Sequence, residues 1–222
     1  MKRIFTGFKS IDNGIQINEG ELVVLASRPA IGKTSLICSI IKNTLDSQKG
    51  LYFSMQFMKS KAIESIDFTK NNNYEIVEDI VDVDEIIKKT AESKIKKDIS
   101  VVFIDNFTDL VTCSAYSPKR VILKLKEMAK RLGVAVIVAE VLVRNNKPYY
   151  TYYDMRHYDF ISLADKIVTM YRLDLEYDDA ELELNCIKKN TTSICIDKDL
   201  SKYLGEEFRL TFDKNTFTFK EI

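Results

Sequence analysis

The residues of this chain best placed to do chemistry lie between an apolar run and a helical pattern. Leu22 to Leu25 is continuous and apolar, and Leu36-Ile37-Cys38-Ser39-Ile40-Ile41 reads as helix. Between them stands Ala26-Ser27-Arg28-Pro29-Ala30-Ile31-Gly32-Lys33-Thr34-Ser35. Backbone N–H groups of such a loop and of the following helix N-terminus can surround a polyphosphate. Lys33 would reach the outer phosphates, and the Thr34 hydroxyl would hold Mg²⁺. Ser27 occupies the position where the general GxxxxGK[ST] pattern has its first Gly. The competing reading is a Gly-Lys turn that opens an ordinary helix. A buried-type strand before the loop and an amphipathic helix after it favour phosphate.

A second element belongs with the loop. Val101-Val102-Phe103-Ile104 is a buried-strand run that ends in Asp105. An acid at a strand's carboxyl end, well downstream of a phosphate loop, would orient Mg²⁺ through a water. As a plain turn residue it would have no such role.

The elements that must position these residues follow from the pattern. Helices are predicted from about Lys33 to Leu45, over Ser60 to Phe68, from Val83 to about Lys97 and from Pro118 to Arg131, with Gly133 as a C-cap. Strands are predicted at Leu22–Leu25, Leu51–Ser54, Ile99–Asp105, Val134–Ala139 and Asp165–Arg172. Leu182–Lys188 alternates as a strand with one wet face, Lys189–Thr192 reads as a turn, and two runs around Asp213–Asn215 close a hairpin. Alternating buried strands and helices imply an α/β fold: a mainly parallel sheet flanked by helices, with an antiparallel C-terminal edge. Such sheets bind nucleotides at the carboxyl ends of their strands.

Bulk properties narrow the function. The 222 residues are 45% hydrophobic and read as a single domain over 1–222. Lys+Arg and Asp+Glu are both 33, so any nucleic-acid contact must come from a local patch. Cys38, Cys113, Cys186 and Cys195 lack metal-ligand spacing, which points to a reduced, cytoplasmic protein without structural zinc. No apolar run is long enough to span a membrane.

In order, the motifs resemble the C-terminal, RecA-like motor domain of DnaB-type replicative helicases. Thr6-Gly7-Phe8 with Ile11-Asp12 is similar to the family's "TG…LD". Leu25 to Thr34 resembles its "A(A/S)RPxMGKT" loop, which also has a small non-Gly residue where Ser27 stands. Phe53-Ser54-Met55-Gln56 resembles "FSLE", Ile104-Asp105 the end of the "IDYLQL" strand, and Leu125 to Lys130 "LKxLAK". Val136 to Arg144 resembles "VIxLSQLNR". Lys147-Pro148 with Asp154-Met155-Arg156 resembles "RP…DLR", and Ala164-Asp165 with Tyr171-Arg172 resembles "ADxV…YR". The resemblance implies a RecA-like P-loop domain that binds ATP and Mg²⁺, and a chain that starts after the family's N-terminal domain.

The departures fall on catalysis. In the family the Glu of "FSLE" activates the attacking water, but here that position is Gln56, which cannot accept a proton at neutral pH. The γ-phosphate-sensing Gln falls on Val141, with Glu140 beside it as a substitute base. The finger that reaches a neighbouring subunit's nucleotide falls near Lys189, a point charge in place of a planar fork. Loss of a finger costs about 10³–10⁵ in rate in related chemistry. The binding set, Ser27 to Ser35 with Asp105, is retained.

The family's loops for single-stranded DNA correspond to Thr108–Pro118 and Arg144–Tyr153. The second mixes Arg144 and Lys147 with Tyr149 and Tyr150, a composition suited to stacking and phosphate contact, or equally to a protein partner. Two readings follow. One is an ATP-binding, weakly hydrolysing protein that acts on or with a replicative helicase as a loader or inhibitor. The other is an active, truncated hexameric helicase in phage or mobile-element replication. The altered hydrolysis residues favour the first.

Overall fold

A computed structural model describes residues 2–55, 61–64, 66, 72–80, 82–143, 151–175, 189–199 and 206–222. The chain opens with β1 (Arg3–Ile4), α1 (Lys9–Gly14) and β2 (Ile17–Asn18), and the two strands pair antiparallel. The Asp12 carboxylate caps the loop before α1, accepting the amides of Thr6 and Gly7.

Two strand–helix units follow: β3 (Leu22–Ser27) with α2 (Lys33–Thr44), then β4 (Gly50–Ser54) with α3 (Lys61–Glu64). After them come β5 (Tyr74–Val77), α4 (Val83–Lys97), β6 (Val101–Asp105), α5 (Phe107–Cys113), α6 (Pro118–Leu132) and β7 (Ala135–Val141). The chain closes with α7 (Asp159–Leu163), β8 (Lys166–Arg172), β9 (Thr191–Asp199), β10 (Glu207–Asp213) and β11 (Thr218–Glu221).

Among the described residues the main sheet has nine strands in the order β11-β10-β9-β8-β3-β7-β6-β4-β5. Strands β8, β3, β7, β6, β4 and β5 are parallel, while β9, β10 and β11 add an antiparallel edge. That is the mixed architecture expected from the sequence. The central strands are buried on both faces, which is why their sequences are apolar until the polar residues at their carboxyl ends, Ser27, Asp105 and Glu140.

Alternation divides the core in two. Val23, Leu25, Phe103, Ile137 and Ala139 face α2. Val24, Val102, Ile104, Val136 and Val138 face α6 and its neighbours. Helix α6 ends as expected at Gly133, whose φ of 60° terminates it in the left-handed region. Its basic side chains pair with acids from other elements: Lys124 with Asp84 at 2.5 Å and Lys126 with Asp165 at 2.5 Å.

Several expectations need correction. Residues 74–77 form β5, which extends the parallel sheet beyond β4. The segment expected as the first DNA loop, Thr108–Pro118, is largely helix α5, because the Asn106 side chain accepts the Asp109 amide at 3.0 Å and nucleates it. Residues 159–163 are helical, where no element was expected. Thr191 and Thr192 belong to β9, and the turn is confined to Lys189 and Asn190. Of the helix expected over Ser60–Phe68, only Lys61–Glu64 is helical among the described residues. The strand expected at Leu182–Lys188 lies outside them.

Candidate functional site

The phosphate-type loop joins β3 to α2, at the carboxyl edge of the parallel strands. Gly32 precedes the helix with φ 115°, a conformation that side chains rarely adopt, and a Cβ there would sit 3.2 Å from the Phe219 ring. Lys33 turns back into the loop. Its Nζ donates to the Ser27 carbonyl at 3.0 Å, to Ser27 Oγ at 3.0 Å and to the Arg28 carbonyl at 3.2 Å. Ser27 therefore does what a Gly could not: its side chain holds the loop lysine. Burial pulls the Lys33 pKa down to about 8, against the opposing pull of the Asp105 and Glu140 charges.

Asp105 ends β6 directly across the site and is buried. Its Oδ2 accepts the Thr34 hydroxyl at 2.6 Å and the Tyr52 phenol at 3.1 Å. Burial raises the Asp105 pKa, while those two hydrogen bonds and the Lys33 charge hold it down. The same burial keeps Tyr52 protonated, with its pKa well above the usual phenol value.

A cavity of about 450 Å³ opens over these groups. It is lined by the loop from Pro29 to Ser35, by Asp105, Asn106 and Val141, and by Arg172, Phe212 and Phe217. The Arg172 guanidinium is held by Asp174, with Nε 3.0 Å from Oδ1, and lies 5.3 Å from the Phe212 ring centre. A planar cation over an aromatic ring is a composition that can stack a flat ligand. The hydroxyl–carboxylate pair Thr34–Asp105 offers the hard oxygen donors that suit Mg²⁺, which bound phosphates and waters would complete. The donor set fits the cation: Thr34 would ligate it and Asp105 would orient its water, and the bound cation would supply charge neutralisation for the phosphates.

Of the loop expected to cradle phosphate, Pro29 to Ser35 line one cavity with Asp105, and Ser27 holds Lys33 through its hydroxyl. Arg28 stands aside, lining a neighbouring groove of about 530 Å³ with Pro29, Val141, Leu142, Val143 and Arg156. Val141 lines the cavity itself with an apolar side chain. Glu140 is fully buried on the opposite face of the sheet, where its oxygens lie 3.1 and 3.2 Å from His157 Nδ1. The imidazole stands edge-on to Phe107, 5.0 Å between ring centres. Lys189 is exposed in the turn before β9. Gln56, Arg144, Lys147, Tyr149 and Tyr150 lie outside the described residues.

Sequence reasoning gave no site role to Tyr52, Asn106, Phe212 or Phe217, and took Arg172 only as part of a motif. Tyr52 had a usable signal, a phenol in an otherwise apolar strand. The aromatic wall had none, because it comes from a hairpin far along the chain that packs beside α2, with the Phe219 amide donating to Ser39 Oγ at 2.9 Å.

Comparison with known proteins agrees with the motif reading. Residues 3–72 match the family model of the DnaB-like helicase C terminal domain. The replicative DNA helicase DnaB of Helicobacter pylori strain J99 is 29% identical over 148 residues, covering 64% of this chain and 29% of the relative. The same protein of strain 26695 is 28% identical over 138 residues, covering 60% and 27%. This chain therefore spans less than a third of the length of the curated relatives it matches. A solved DnaB-like replicative helicase, described with its interactions with primase, superposes with a TM-score of 0.81 at 21% identity. That match covers 99% of this chain and 62% of the solved one. The fold is that of the DnaB-type RecA-like domain.

Proposed function

We propose that this DnaB-like chain binds ATP with Mg²⁺, hydrolyses it weakly or not at all, and acts in DNA replication on or with a replicative helicase. The observation that carries the reading is the Lys33, Thr34 and Asp105 constellation in an open cavity that Arg172, Phe212 and Phe217 also line. In this reading Lys33 would meet the phosphates, Thr34 the metal, and the aromatic side chains the base.

The case for weak turnover rests on what lines that cavity. Asp105 is the one carboxylate among the described lining residues, and it is committed to Thr34 and Tyr52. Val141 offers no hydrogen bond where a γ-phosphate sensor would stand. Glu140, the candidate substitute base, is engaged with His157 on the other face. Gln56 replaces the carboxylate that the family uses as a base.

A loader or inhibitor would dock on a helicase ring through the surface that related motor domains use for one another. Purified chain, ATP, Mg²⁺, single-stranded DNA and a replicative helicase test this directly. The reading expects ATP binding, co-elution with the helicase and no steady phosphate release. Phosphate release stimulated by single-stranded DNA, from a hexamer of this chain alone, would instead establish an active helicase motor. Gln56→Glu refines the result: turnover that appears only in this variant identifies the missing base as the limiting defect.

A further inference from the structure

Tyr52 is a fully buried phenol in the core layer that packs against α2, a layer that also holds Tyr74, hydrogen-bonded to the Thr44 hydroxyl at 2.9 Å. A Phe would fill almost the same volume, and a buried hydroxyl without a partner is costly. The partner here is Asp105. The phenol donates to Oδ2 over 3.1 Å, and the same oxygen accepts the Thr34 hydroxyl over 2.6 Å.

Register explains the reach. On paired strands Tyr52 lies opposite Phe103 and Ser54 opposite Asp105, so Tyr52 sits one step of the pleat below the carboxylate on the same face. The two donors differ in position. Thr34 lines the cavity, where a ligand meets it, whereas Tyr52 is absent from the lining and holds the carboxylate from behind.

We propose that Tyr52 is a positioning residue for the metal site, fixing one orientation of the Asp105 carboxylate toward a divalent cation. The Tyr52 hydrogen bond stays in place while nucleotide and cation engage Thr34, so the site is organised before they arrive. Preorganisation of this kind strengthens binding of the cation without adding a ligand to it. The inference rests on the nucleotide–metal reading above.

The test is Tyr52→Phe in the full chain, with Mn²⁺ as the probe. Mn²⁺ affinity in the presence of ADP is read by electron paramagnetic resonance, and ADP affinity in EDTA by fluorescence. The expected result is a loss of about tenfold in Mn²⁺ affinity, the scale of one hydrogen bond to a charged group, with ADP affinity in EDTA unchanged. Unchanged Mn²⁺ affinity overturns the inference and leaves nucleotide binding standing. An equal loss with and without metal also overturns it, because that is the mark of a merely structural role. A native chain that binds ADP neither with Mn²⁺ nor without it overturns the nucleotide reading itself, and this inference with it. If Tyr52→Phe does not fold, Asp105→Asn in ¹³C-tyrosine-labelled chain serves: the Tyr52 ring signal must move, and a fixed signal overturns the inference.

Discussion

Thr34 and Asp105 are 71 residues apart in sequence and share a 2.6 Å hydrogen bond at the edge of the parallel sheet. That bond joins the end of the phosphate-type loop to the end of β6. It brings together a hydroxyl and a carboxylate, hard oxygen donors of the kind that suit a nucleotide-bound cation. Lys33 completes the constellation from within the loop, and the consequences can be measured group by group.

Lys33→Ala removes the cation whose Nζ lies within 3.2 Å of three loop oxygens. It takes away both the charge facing the phosphates and the brace of the loop. ATP affinity is expected to fall at least a hundredfold, from loss of charge-assisted hydrogen bonds of about 1.5–3 kcal/mol each. Isothermal titration calorimetry checks it, and retained affinity would show that the loop does not hold phosphate.

The free protein holds Lys33 at a pKa of about 8, first because burial disfavours the ammonium. Bound phosphate restores a favourable field and pushes that pKa back up. ATP binding near pH 8 is therefore expected to take up a proton, and affinity to weaken as pH rises through 8. For stability the sign is opposite. Between about 8 and the ordinary lysine value of 10.5 the unfolded chain binds the extra proton, so this group makes folding more favourable as pH rises across that window. Calorimetry in buffers of different ionisation enthalpy gives the proton count, and urea unfolding against pH gives the second effect.

His157→Ala leaves the buried Glu140 carboxylate without the imidazole that lies 3.1 Å from it, and removes the edge contact with Phe107. Leaving a buried side-chain oxygen without its hydrogen-bond partner costs about 1–3 kcal/mol. Urea unfolding is expected to show a destabilisation of that order with ATP affinity preserved, since the pair lies on the face away from the cavity. A matching loss of ATP affinity would mean that Glu140 works in the site.

Phe217→Ala removes part of the aromatic lining of the cavity, where Phe217 stands edge-on to Phe212 at 6.2 Å. If the base stacks there, ATP affinity drops by about 1–3 kcal/mol, the scale of one base–aromatic contact, while affinity for inorganic triphosphate is unchanged. Equal loss for both ligands would move the base elsewhere.

The residues that were legible in the sequence are those whose roles are local. The loop, its flanking strand and helix, and Asp105 at the end of a buried run are each set by short-range pattern. Elements were lost where local pattern was weak. Strand β9 is rich in Thr, Ser, Asp and Lys, and forms because β8 and β10 pair with it on both sides. Strand β5 is only Tyr74–Val77 at the sheet edge. Helix α5 was readable from the Asn106 cap with Asp109 in its first turn, a signal masked by the expectation of a loop. The places of Tyr52, Arg172 and Phe217 around the cavity depend on which strands become neighbours, and spacing along one chain does not encode that.

The central claim is an ATP cradle with little turnover. It is tested most directly by following ATP·Mg²⁺ binding and phosphate release on the same sample of native chain, with single-stranded DNA present. Saturable binding of one nucleotide per chain is expected, with no steady release of phosphate. Sustained release that single-stranded DNA accelerates, or no binding at all, would contradict it.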